Sequence, residues 1–145
     1  RDIDPNVASF DYIMKSVHSI YPLIEIHNLV FNGPEPYGAE LLANNAIHAG
    51  VILGPETLLS DDKRKTDLKL IYDDETIDVW TNKQWPEDIL SHLNWLINEL
   101  DKNNKILKKD DLILTGAYGF PVPINEKKLV KVSSSEFGNV EATFV

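Results

Sequence analysis

Pro86-Glu-Asp-Ile-Leu-Ser-His-Leu-Asn-Trp-Leu-Ile-Asn-Glu-Leu-Asp-Lys102 is the stretch that decides the fold class. Ile89, Leu90, Leu93, Leu96, Ile97 and Leu100 recur at helical spacing and form one unbroken apolar stripe. Pro86 fits the first helical position, where a missing N–H costs nothing. The spacing predicts a helix from Pro86 to about Lys102. A stripe of this width has to be buried, and a sheet is the expected surface for it. The flanking sequence supplies the strands. Upstream, Asp67 to Tyr72 and Thr76 to Trp80 alternate across Asp73-Asp74-Glu75 and read as a hairpin. Downstream, Asp111 to Thr115 reads as a strand closed by Gly116, and Leu129 to Ser133 and Val140 to Val145 read as two more, joined through Phe137-Gly138-Asn139.

Toward the N-terminus, Asp4 and Pro5 are the cap and first residue of another helix. Phe10, Ile13, Met14 and Val17 give that helix its stripe, and Tyr21-Pro22 ends it. Leu23 to Phe31 is rich in β-branched residues and reads as a strand, followed by a loop at Asn32-Gly33-Pro34-Glu35-Pro36. Gly38 to Ala49 is expected to be a second helix with Gly50 as its left-handed cap. Val51 to Leu53 is then a short strand, and the polar residues from Pro55 to Thr66 a surface connection. Three helices among six or seven strands, in irregular alternation, predict an α+β fold with a largely antiparallel or mixed sheet.

The 145 residues, 43% of them apolar, suffice for a single domain with its own core. With 14 basic against 23 acidic residues the net charge is −9, and mean hydropathy is −0.22. Such a surface repels phosphate backbones. The one basic cluster, Lys63-Arg64-Lys65, is flanked by Asp61, Asp62 and Asp67, so nucleic acid is not an expected partner. Absence of cysteine excludes a disulfide scaffold, a thiolate zinc site and a cysteine nucleophile. No apolar run reaches the about 20 residues of a membrane helix, so no membrane partner is expected. Phosphate-loop, nucleophile-elbow and HExxH signatures are missing.

Three places can carry chemistry. Glu25 lies within an apolar strand, where a carboxylate needs a partner or a cation to stay ionised. His27 is two residues on and shares its face. Together they could serve a divalent metal, or lie on a solvated sheet face. Asn44-Asn45 are poor helix formers beside an apolar stripe; they either hold structure or orient a ligand. His48 reads as an ordinary boundary histidine. Thr115-Gly116 stand at a strand exit, where a glycine allows close backbone approach and a hydroxyl can donate or accept.

Tyr21-Pro-Leu-Ile-Glu-Ile26, Leu42-Ala-Asn-Asn-Ala-Ile-His-Ala-Gly-Val-Ile-Leu-Gly54 and Leu112-Ile-Leu-Thr-Gly-Ala117 with Pro121-Val-Pro123 resemble the C-terminal part of 2-keto-4-pentenoate hydratases, of the fumarylacetoacetate hydrolase superfamily. The resemblance runs through nearly the whole chain, including a last strand from Phe137 to Phe144. It implies a mixed β-roll with about three helices on the sheet. It also implies a lyase that hydrates or decarboxylates a small 2-oxo acid through an enolate stabilised by Mg²⁺ or Mn²⁺. Glu25 falls on the position of a metal ligand in that family, and Asn45, Thr115 and Gly116 become the expected substrate contacts. No catalytic residue can be assigned. The family's Glu-x-Glu pair and its catalytic lysine and aspartate precede the stretch that matches, so residues 1–145 are expected to be the C-terminal portion of a longer catalytic domain. Tight metal binding is not expected of this portion alone, and it should be inactive in isolation. A homo-oligomer or a covering N-terminal segment, and a cytoplasmic location, belong to the same expectation. Where the family has Asp-Ser-Arg after the glutamate, this chain has Asn28-Leu29-Val30, and Asn44-Asn45 stands for Asp-Asn. The alternative is therefore a non-catalytic binding or regulatory relative that keeps the fold.

Overall fold

The computed structural model describes residues 1–30, 38–59, 63–124 and 128–145. Its architecture is α+β with antiparallel sheets. The four-stranded sheet consists of β5 (Arg64–Tyr72), β6 (Glu75–Trp85), β7 (Lys128–Ser134) and β8 (Gly138–Phe144), in the order β6-β5-β7-β8. The β5–β6 hairpin turns at Asp73-Asp74 as the alternation predicts, with Tyr72 opposite Glu75. Asp73 also accepts from the Leu129 N–H at 3.0 Å and from Lys128 Nζ at 3.2 Å, and these bonds hold its carboxyl below the usual range.

A two-stranded ribbon lies against one face of this sheet. Its strands are β2 (Leu23–His27) and β3 (His48–Leu53), continued by the short pair β1 (Ser19–Ile20) and β4 (Thr57–Leu58). Ile24 of β2 packs on Val130 and Val140, with Ile52, Leu70 and Val132 around them. The opposite face of the four-stranded sheet is polar, with Lys131 paired to Glu141 across the β7–β8 ladder.

Gly54 marks where the ribbon leaves the sheet. Its N–H donates to Pro22 O at 2.8 Å. A Cβ there would stand 2.8 Å from Pro22 Cγ and 3.1 Å from Val140 Cβ. Gly54→Ala is therefore expected to destabilise the protein by about 1–3 kcal/mol, the usual cost of overpacking. Thermal unfolding checks it, and a variant as stable as the parent would show that the ribbon does not press on β8.

Three α-helices occur among the described residues: α1 (Phe10–Met14), α2 (Ala39–Ala43) and α3 (Glu87–Asp101). Helix α3 is the expected long helix, and Pro86 is its N-cap rather than its first residue, accepting from the Leu90 N–H at 3.0 Å. Its stripe goes elsewhere than expected. Leu90, Leu93 and Ile97 are buried with Ile3, Ile13 and Leu107 in a core separate from that of the sheet. The N-terminal segment reaches this helix first. Ile3 N–H donates to Leu107 O at 2.9 Å, and the Asp2 carboxylate accepts from the Lys109 N–H at 2.7 Å.

The other departures have local causes. The expected first helix is divided: Asp4 caps a short turn at Pro5–Val7, and Ser9 caps α1 anew through the Tyr12 N–H. The expected helix from Gly38 to Ala49 stops at Ala43. Asn45, Ala46 and Ile47 then take positive φ values of 48°, 54° and 57°, and His48-Ala-Gly50 joins β3. Gly50 is thus a ladder residue opposite Ile26 and not a cap; ladder bonds to β2 replace helical ones. The expected strand from Asp111 to Thr115 forms no ladder among the described residues. Strand β2 ends at His27, short of the expected Phe31, which lies with the loop at 32–36 outside the described residues.

Candidate functional site

Pairing of β2 with β3 builds the polar cluster of the ribbon. His27 stands directly opposite His48, after an irregularity at Ile26/His27. Glu25 lies two residues before His27 on the same face. Glu25 Oε1 is 2.9 Å from His48 Nδ1 and 3.4 Å from His27 Nε2. All three side chains are largely buried, that of Glu25 being 26% exposed. With His48 Nδ1–H donating to Glu25, His48 Nε2 is left as the acceptor nitrogen, while His27 Nε2 stands close to the same carboxylate oxygen. The expectation that Glu25 needs a partner inside its strand is met by histidines.

A cavity of about 1400 Å³ is lined by the ribbon, Glu25 and His27 included, by the inner face of the four-stranded sheet and by the segment 114–124. Thr115 and Gly116 line the same cavity. Gly116 has φ +99°, a left-handed conformation that favours glycine. The Tyr72 hydroxyl donates to Val122 O at 3.1 Å and ties the segment to β5. Burial pushes the Tyr72 phenol up, and burial together with the charge of Asp88 does the same for Tyr118, another lining residue.

Glu25, Thr115 and Gly116 thus line one cavity. Asn45 is set apart: it is exposed in the left-handed turn and is not among the lining residues, whereas Ile47 is. Neighbouring Asn44 has its Nδ2 buried without a hydrogen-bond partner among the described residues. His48 is the residue that sequence reasoning passed over. Reading Gly50 as a helix cap kept it out of β3. Treating His48 to Leu53 as one strand against Leu23 to His27 would have put Ala49 across from His27 in a regular register, and the irregularity at Ile26/His27 brings His48 there instead.

The divalent cation implied by the resemblance can be tested against these donors. Mg²⁺ and Mn²⁺ take several oxygen ligands, usually from more than one carboxylate or from substrate. The cluster offers one carboxylate, already engaged by two imidazoles, and among the described residues no group of three or more His, Asp or Glu side chains could hold a metal ion. These residues alone do not fit the cation. Among the described residues no helix is long and apolar enough to cross a membrane. No family model and no curated protein matches the chain.

Proposed function

We propose that this chain is the C-terminal part of an enzyme that hydrates or decarboxylates a small 2-oxo acid in the cytoplasm, on a roll of the fumarylacetoacetate hydrolase type. The observation that carries the reading is convergence. Glu25, Thr115 and Gly116, far apart in sequence, line one cavity. Such a reaction passes through an enolate, formed by loss of a proton beside the ketone or of carbon dioxide; a proton is returned to its carbon, and in a hydration water adds across the neighbouring double bond. Glu25 and His27 supply acid–base groups among the residues lining that cavity, with His48 held against Glu25, and the Thr115 hydroxyl supplies a hydrogen bond for a carbonyl or carboxylate oxygen. A cation would need further carboxylates besides Glu25, and no step is assigned to it. The test is exchange of the C3 protons of 2-oxobutanoate in D₂O, followed by NMR with this chain joined to its native upstream sequence. Exchange no faster than in buffer would sink the reading.

A non-catalytic relative is the second reading. Leu29 and Val30, exposed by 55% and 58%, stand where the resemblance has a serine and an arginine, and apolar groups there suit a protein contact. The same experiment decides between them.

Either reading includes assembly. The accessible surface is 9784 Å², about 2,300 Å² more than a compact monomer of this mass exposes. One side of a standard protein interface covers only about 800 Å². Phe120 and Leu42 are 94% and 83% exposed. The excess is the size of an obligate contact, with a second copy or with preceding residues of a longer chain. The 145 residues alone are expected to self-associate in sedimentation velocity or to bind an apolar dye strongly. A monomer that binds no dye would count against a missing contact.

A further inference from the structure

One corner of the cavity has a construction that the Glu25 cluster does not explain. On β6, Lys83 stands opposite Thr66 and Trp80 stands opposite Leu68. Between these pairs β5 advances two residues and β6 three, so β6 carries a bulge. In a regular strand, side chains three positions apart point to opposite faces. The extra residue cancels that, and Lys83 and Trp80 both line the cavity. Asn82 absorbs the distortion at φ +55°. Its N–H donates to Asp67 Oδ1 at 2.9 Å, and the Asp67 N–H donates in turn to Ser135 Oγ at 3.0 Å. The bulge is thus anchored to its partner strand and, through Asp67, to the β7–β8 turn.

The bulge delivers a cation to an apolar wall. Lys83 Nζ lies 4.8 Å from the centre of the Tyr118 ring. That ring is 6.4 Å from the Trp80 ring, at an interplanar angle of 36°. Gly119 brings the backbone flat against the indole, since a Cβ there would stand 2.6 Å from Trp80 Cζ2. Lys15, Lys63, Lys102, Lys109, Lys128 and Lys131 all have carboxylate partners. Lys83, like Lys65, Lys69, Lys105 and Lys108, makes no ion pair among the described residues, and it is set apart from them by lying over an aromatic ring that lines the cavity. Asp88, the acid whose charge reaches Tyr118, is engaged by the Gln84 N–H at 2.9 Å. The complement to this corner is an anion from outside the chain, carried on a flat apolar body. An ammonium beside an aromatic face gains from both the ring and a carboxylate.

We propose that Lys83, Tyr118 and Trp80 form a binding subsite for an aromatic carboxylate, with the ring against Trp80 and Tyr118 and the carboxylate on Lys83 Nζ. The subsite is independent of the chemistry at Glu25. Calorimetry with naphthalene-2-carboxylate and with the neutral 2-naphthylmethanol tests it on the chain as it stands. The carboxylate is expected to bind at least about ten times more tightly than the alcohol, the effect of one charge-assisted hydrogen bond. Lys83→Gln and Lys83→Met should bring the two probes to within about twofold of each other, and Lys83→Arg should keep the preference, as charge rather than shape predicts. Asn82→Gly, which tolerates the same φ, should keep it as well. Equal affinities in the parent protein, no binding of either probe, or a preference that survives Lys83→Gln would each overturn the proposal.

Discussion

Ile13→Ala is expected to lower the free energy of unfolding by about 2–5 kcal/mol, the range for removing most of a large aliphatic side chain from a packed core. Ile13 is completely buried. It sits where α1, the first residues of the chain and the stripe of α3 meet, against Ile3, Leu93, Ile97 and Leu107. None of these belongs to the sheet, so the cavity left by the substitution cannot be filled from there. The contrast is Phe10, three residues away on α1 and 57% exposed, where an alanine should cost under about 0.5 kcal/mol, as surface changes do. Urea unfolding followed by circular dichroism measures both. A loss below about 0.5 kcal/mol at Ile13 would mean that the helical core contributes no stability. Leu96→Ala should fall between the two, because Leu96 is only half-buried at the margin of that core.

What could be read in the sequence was what local periodicity and turn chemistry determine. The α3 stripe, the hairpin across Asp73-Asp74 and the last two strands have signals contained within a few residues, and the structure keeps them. Partners were harder to read. Nothing within residues 86–102 says that Ile3 and Ile13 will cover the helix before a sheet can. The misreading at Gly50 has the same origin. Glycine after an apolar helical pattern is a sound cap signal, and it fails because β2 offers a ladder that local sequence does not reveal. Asp111 to Thr115 shows the converse, a strand-like pattern with no neighbouring edge to complete it. At the site, the pairing of Glu25 with His27 follows from strand periodicity alone. The contribution of His48 needed the register of β3, and the aiming of Lys83 needed a bulge that no residue pattern announces.

The cluster at Glu25 leads to the sharpest functional expectation. Glu25→Gln should slow C3 proton exchange of 2-oxobutanoate by about 100-fold or more, the scale of a lost general acid–base group, when this chain is joined to its native upstream sequence. An amide cannot take up and release a proton as a carboxylate does. Gln fills the same space, so the fold and the Ile24 packing beside it should persist. It carries no charge, and Glu25 meets both His48 Nδ1 and His27 Nε2 through the one oxygen Oε1. The amide oxygen can keep both contacts, but without the charge its hold on the imidazoles is weaker. His48→Gln should give a smaller loss than Glu25→Gln, because Glu25 would keep its 3.4 Å partner His27. A Mn²⁺ titration of the same proteins separates two meanings of a slow variant. If Glu25→Gln binds Mn²⁺ as the parent does yet fails to exchange, the carboxylate acts as the anchor of the imidazoles. If the affinity falls with the exchange rate, the carboxylate is also a ligand and the imidazoles must move aside when the ion binds. Exchange undiminished by Glu25→Gln would remove both meanings, leaving a carboxylate whose only task is to hold β2 and β3 together through His48.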